Sequence, residues 1–482
     1  MTRRCLASFG LLLAALITTA PALYAQQPDR TTAPKPGAPP ALTLPAIGHH
    51  TLSNGLAVWL VESHKVPLVQ VNVTLRSGSA DDPAGKFGLA NLTAGMLDEG
   101  AGGRSALEIS DAIEGLGATL ATTSSFDATA VRLNVPVGRL GAALPLLADI
   151  VLRPAFAAAD LERLRQERLT SLLQARDEPS SIAGTAFARQ VFGTHRYGTG
   201  AMGTEETVRG FTVADLKAFH AQQYVPSRAA LIVVGDVKAA TLLPLLEKHF
   251  AGWKGTGAPA AALAAPTQLA TRRVVLVDKP GAAQSIVRVG WVGVPRATPD
   301  YHTLDVLNTM LGGSFSSRLN MNLREEHGYA YGASSAFDMR RLAGPFVAAA
   351  NVQTDKTAES VREMLKELTN ISTPVPAEEL ERTRSNLTLG YPAEFETTSQ
   401  LSRKMEDLFI YGLPDSTLRQ YIPGVRAVTA AQLQTAAARY IKPGRLLVLV
   451  VGDRAVVEAG LRALNLGTVE VLSVAAATGR TP

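Results

Sequence analysis

Hydrophobic positions change period several times along the chain, and each change marks an element. Apolar runs flank Asn54-Gly55, a dipeptide suited to a tight hairpin turn. Val69, Val71, Val73 and Leu75 then alternate with polar residues, which predicts a half-buried strand. Helical periods follow at 87–100 and 106–116, strands around 118–135, and a long helix from about 158 to 176. Two stretches break the pattern. Residues 26–45 carry Pro28, Pro34, Pro36, Pro39, Pro40 and Pro45 and read as a tether that resists regular structure. Residues 255–270 are rich in alanine and proline and read as a linker.

The region beyond the linker repeats the one before it. Thr212, Leu216, Pro226 and Val233-Val234-Gly235-Asp236 recur as Thr429, Leu433, Pro443 and Val450-Val451-Gly452-Asp453, all at one constant offset. Leu161-Glu162-Arg163 with Arg165 recurs as Leu380-Glu381-Arg382 with Arg384 at nearly the same offset. The expected fold class is therefore α+β, with two homologous α/β-sandwich halves over 46–254 and 271–470. Joined by the linker, they form a clamshell with a cleft, and 471–482 is a tail without readable signal.

The front of the chain carries an address. Arg3 and Arg4 precede a short apolar run from Phe9 to Ile17, and small residues lead to Ala25 with Ala20-Pro21-Ala22 as another cleavage point. Residues 1–25 read as a secretory signal peptide, and the expected location is periplasmic. No later stretch reads as a membrane span.

Composition narrows the chemistry. With 46% hydrophobic and 18% charged residues, the chain is too apolar for disorder. The net charge of +5 is spread without a dense basic block, which argues against nucleic acid as a partner. A single cysteine excludes disulfide frameworks, cysteine-rich zinc sites and iron–sulfur clusters. None of the eight histidines lies four residues from another, and no Gly-x-Ser-x-Gly elbow or phosphate loop is present.

The segment Gly88-Leu89-Ala90-Asn91-Leu92-Thr93-Ala94-Gly95-Met96-Leu97 resembles the signature of the insulinase/pitrilysin-type zinc metallopeptidases, in particular the two-domain chains like mitochondrial processing peptidase. There, Gly-Leu-Ala is followed by His-x-x-Glu-His and Met-Leu. In that family the two histidines bind zinc from one helical face, and the glutamate acts as general base. The resemblance places Asn91, Ala94 and Gly95 at those positions, and Ser171 at the third ligand, a glutamate in the family. None of the four has the required chemistry, and the nearest acid to Ser171 is Glu167. His195-Arg196-Tyr197-Gly198 is similar to a further family element, with Arg196 in place of proline.

In the second half, Gly312-Gly313-Ser314-Phe315-Ser316-Ser317-Arg318-Leu319 leads into Leu323-Arg324-Glu325-Glu326-His327-Gly328-Tyr329-Ala330-Tyr331. This resembles the family's C-terminal element, in which an arginine and a tyrosine seven residues later reach the substrate. Arg324 and Tyr331 match that spacing. The resemblance implies that Arg324 holds substrate carbonyls and that Tyr331 supports the developing oxyanion. The residues alone also allow Arg324 to pair with Glu325 and Tyr331 to pack on the core. Gly312, Gly313 and Ser314 either face substrate or only permit a tight turn. Tyr329 fits packing better than chemistry.

These features imply a substrate-binding subunit that binds no cofactor itself. It completes its site with a similar-length partner that bears zinc and an intact His-x-x-Glu-His, and it takes extended peptides as substrate. The alternative is a non-hydrolytic scaffold or peptide-binding protein of the same fold.

Overall fold

Asn54-Gly55 does make the first turn: Gly55 takes φ +86°, and its N–H donates to Leu52 O at 2.9 Å. The computed structural model describes residues 42–257 and 263–479. The expected signal peptide, most of the tether, part of the linker and the last three residues of the tail lie outside the described residues. The rest of the expected tail is ordered instead, as the end of the strand Val469–Ser473 and the helix Val474–Thr478, because Ala477 is buried in the second half's core. From Thr43 onward the chain is one unit.

Two six-stranded sheets carry it. The first comprises β1 (Gly48–Thr51), β2 (Ala57–Glu62), β3 (Leu68–Leu75), β4 (Thr119–Ser124), β5 (Thr129–Pro136) and β6 (Ala229–Gly235), in the order β1-β2-β6-β3-β5-β4. The second comprises β7 (Arg273–Asp278), β8 (Gln284–Val292), β9 (Ala330–Phe337), β10 (Pro345–Gln353), β11 (Leu447–Gly452) and β12 (Val469–Ser473), in the order β12-β7-β11-β8-β10-β9. β2 runs parallel to β6 as β7 does to β11, and the strands inward of these pairs are antiparallel in both sheets. Only the outermost strand differs: β1 is antiparallel to β2, whereas β12 is parallel to β7. The sequence repeat is thus a repeat of topology. Thr212 and Thr429 cap the equivalent helices, accepting from Asp215 N and Gln432 N, and each helix leads into the central strand β6 or β11.

The helices that matter for the site are α1 (Leu89–Gly95), α2 (Ala158–Gln174), α3 (Pro179–Phe192), α4 (Tyr301–Asn308) and α5 (Thr398–Tyr411). α1 is shorter than the 87–100 period suggests, because the chain turns after Gly95 into a small ladder of Gly100-Ala101 with Arg104-Ser105. α3 and α5 are exchanged between the halves. α3, from the first half, buries Ile182, Ala183 and Phe187 against Val275, Ile286 and Leu449 of the second sheet. α5, from the second half, buries Leu401, Met405 and Phe409 against Val61, Ile232 and Val234 of the first. Each large apolar side chain so buried contributes about 1.5–3 kcal/mol.

This exchange corrects the expectation for β3. The strand is buried on both faces, because α5 covers the side that carries Gln70, Asn72 and Thr74. Their polarity is matched there: Asn72 Nδ2 donates to Ser402 Oγ at 3.1 Å and to Glu406 Oε1 at 2.7 Å. Arg132 completes the group with an ion pair to Glu406 at 2.6 Å.

Candidate functional site

α1 begins at Gly88, whose φ is +97°. A Cβ at this position would come within 2.5 Å of Met202 O, so there is room for no side chain. The helix start is held by Asp82, which accepts from Gly88 N and Ala90 N, both at 2.7 Å. Asp82 also accepts from Arg196 Nη2 at 2.7 Å, and both side chains are buried. Burial pushes the Asp82 carboxyl up to about 6, with Arg196 and the two N–H groups pulling it partly back. The Arg196 guanidinium lies 4.7 Å from the Phe87 ring centre. The arginine that departs from the family's proline therefore orients α1, a role that sequence reasoning missed.

The four motif positions offer nothing to zinc. Asn91 spends its amide Nδ2 on Ser124 O, 3.2 Å away at the end of β4. Ala94 is buried with only its methyl group, and Gly95 faces open space, with no atom within 4 Å of where a Cβ would stand. Ser171 is exposed and donates to Glu167 O at 3.0 Å, within its own helix α2. Glu167 is paired with Arg163 at 2.8 Å. Among the described residues no group of three or more His, Cys, Asp or Glu could hold a metal ion. The donor set does not fit the zinc of the family pattern. One turn before Ser171, Arg168 is half-buried, and its Nη1 has no hydrogen-bond partner among the described residues; burial lowers its pKa.

In the second half, α4 runs into two π-helical turns, Thr309–Gly313 and Met321–Glu326, with the short helix Arg318–Asn320 between them. A Cβ on Gly312 would lie 2.3 Å from Ser335 N, so the close approach this glycine permits is to β9. Ser314 Oγ donates to Thr309 O at 3.2 Å, closing the same turn. Gly312 and Ser314 thus serve backbone packing in this structure, while Gly313 is exposed beside them.

Arg324 and Tyr331 come together. The guanidinium carbon lies 4.9 Å from the Tyr331 ring centre and 4.8 Å from that of Phe315. Tyr331 is 87% exposed, which removes the alternative of core packing, and Phe315 is 63% exposed. Arg324 Nε does pair with Glu325, at 3.1 Å, with both side chains part-exposed. Tyr329 stacks on His327 at 4.9 Å and takes no part in the cluster. Nothing in the sequence singles out Phe315, and no spacing rule would find it.

A two-sheet, two-half fold of this kind, with a motif helix in one half and an Arg/Tyr element in the other, is that of a metallopeptidase-type protein. Residues 57–205 match the family model of insulinase, peptidase family M16, and residues 210–387 match that described as the peptidase M16 inactive domain. The chain belongs to peptidase family M16. An uncharacterized zinc protease of Mycobacterium leprae is 31% identical over 294 residues, 60% of this chain and 65% of the relative. One of Bacillus subtilis is 25% identical over 409 residues, 84% of this chain and 98% of the relative. The crystal structure of a Helicobacter pylori protease shares the fold at 22% identity, with TM-score 0.81 over 85% of this chain and all of that one. A peptidase M16 inactive domain from Pseudomonas fluorescens does so at 23%, with TM-score 0.80 over 84% and 98%.

Proposed function

We propose that this chain is the non-catalytic, substrate-binding subunit of a two-chain M16 zinc peptidase exported to the periplasm. The observation that carries the reading is a contrast: the motif positions of α1 and α2 hold no metal donors, whereas Arg324 stands stacked on an exposed Tyr331 in the second half. Zinc and the general base then belong to a partner of similar length with an intact His-x-x-Glu-His. This chain holds the peptide carbonyls with Arg324 and donates the Tyr331 hydroxyl to the oxygen that gains charge. An extended peptide would pair at β4 or β9, each outermost in its sheet. A pure scaffold of the same fold has no use for a solvent-facing tyrosine clasped to an arginine.

Turnover by the isolated pair, with Arg324→Ala or Tyr331→Phe in this chain, tests the assignment. A fall of about 10²-fold or more supports it. Unchanged turnover in both variants removes the role.

A further inference from the structure

The repeat has a second consequence on α4. Met96-Leu97 recurs as Met310-Leu311, and Phe126-Asp127 recurs as Phe337-Asp338 at nearly the same offset. Asp305 and Asn308 of α4 thus stand where α1 has Asn91 and Ala94. The first half offers no charge at these positions. The second half opens a cavity of about 270 Å³ beside them, walled by Arg296, Tyr301, Asp305, Phe337, Asp407 and Tyr411.

The charges in this cavity are not spent on one another. Asp305 Oδ2 accepts from the Tyr421 hydroxyl at 2.6 Å, and Oδ1 has no such partner among the described residues. Asp407, brought in by the exchanged helix α5, makes no hydrogen bond or ion pair among the described residues. Arg296 lies face-on to Tyr301, its guanidinium carbon 3.9 Å from the ring centre, and pairs with neither carboxylate. Glu394, close by, is occupied by Lys404. Desolvation by the surrounding wall raises the pKa of both Asp305 and Asp407; the Tyr421 hydroxyl, Arg296 and Lys404 oppose it at Asp305, and Lys404 and Arg296 at Asp407. The cavity therefore carries two carboxylates against one guanidinium already held on an aromatic face. Tyr301, Phe337 and Tyr411 supply rings of the kind that stabilise a desolvated cation.

We propose that this cavity binds the ammonium or guanidinium group of a lysine or arginine side chain on an extended peptide. Its volume lies below the roughly 300–1,000 Å³ of sites for drug-sized ligands and suits one side chain. Its position suits delivery by a strand. Phe337 closes β9, the outermost strand of its sheet, so a peptide paired to that edge passes the cavity mouth. The peptide as source of the cation rests on the reading of this chain as a peptide binder; the cation chemistry of the cavity does not.

Calorimetric titration of the whole mature chain separates the two. The probes are agmatine and a pair of twelve-residue extended peptides that differ only in a central lysine or norleucine. The expected result is that agmatine binds, the lysine peptide binds about tenfold or more tighter than its norleucine twin, and Asp407→Asn removes both effects. Asp407 reaches solvent at the cavity mouth, so its neutral isostere leaves folding intact; Tyr411→Leu on the same wall is the second variant. Equal binding of the two peptides overturns the proposal, and agmatine binding beside it assigns the cavity to a free cation instead. Undiminished binding in both variants overturns it as well. Turnover by the pair is a separate readout, so this preference and the subunit role can fail independently.

Discussion

The guanidinium carbon of Arg324 lies 4.9 Å from the ring centre of Tyr331, and the ring of Phe315 closes the other side at 4.8 Å. The stack holds a long, mobile side chain in one orientation while the tyrosine stays 87% exposed. Preorganised donors at a site of developing charge are worth far more than mobile ones. Removing Phe315 should therefore loosen Arg324 without removing any donor. In turnover by the pair, Phe315→Ala should lower kcat by about tenfold or less, clearly milder than the roughly 10²-fold of Arg324→Ala, and Phe315→Leu should recover part of it.

The metal positions invite reconstruction. Gly95 has open space around its missing side chain, and the Asn91 amide gives up only one contact, with Ser124 O. The wild-type chain should bind no zinc at these positions. The fourfold variant N91H, A94E, G95H and S171E should take up about one zinc ion with three protein ligands. Elemental analysis after dialysis checks both, and zinc retained at these positions by the wild type would refute the reading of the site.

Asp82 and Arg196 are a buried pair that fixes the start of α1. Asp82→Asn leaves the guanidinium buried and uncompensated, a change that typically costs about 3–5 kcal/mol. Urea denaturation should show a loss of that order. Replacing Arg196 as well, by methionine, should recover part of it, because no charge is then stranded.

Acid should weaken the fold through histidine. His220, on the helix Val213–Gln223, is packed on Tyr224 at 4.5 Å and bonds Val151 O through Nε2 at 2.8 Å. Burial lowers its pKa below the ordinary 6.5. The unfolded chain therefore takes up a proton first, and the stability from neutral His220 is complete above about pH 6.5 and lost as pH falls through that value toward the folded pKa. His302 and His249 shift the same way. Asp82, raised to about 6, works in the opposite sense over the same range, so the histidine contribution is read as a difference: between about pH 7 and 5.5 the urea midpoint of His220→Gln should lose less, or gain more, than that of the wild type.

Much of this architecture is legible in the sequence, for definable reasons. Thr212 and Thr429 announce the repeat because capping and strand-end residues obey local rules, and both do cap helices. The absence of zinc donors at Asn91, Ala94, Gly95 and Ser171 is equally local, since ligand chemistry is a property of residue identity. What is not legible depends on contacts distant in sequence. The alternation from Val69 to Leu75 looks like a half-exposed strand because the helix that covers Asn72 belongs to the far half of the chain. Phe315 reaches Arg324 only through the π-helical turns, and Asp407 meets Asp305 only because α5 crosses between the halves.

A site split between two chains requires a partner that completes it. The tagged chain should be isolated from its native cells without denaturation, its companions identified by mass spectrometry and its zinc counted. One stoichiometric companion bearing His-x-x-Glu-His is expected, with about one zinc per pair and none on this chain alone. Zinc on the solitary chain, or a chain that purifies with no such companion, would contradict it.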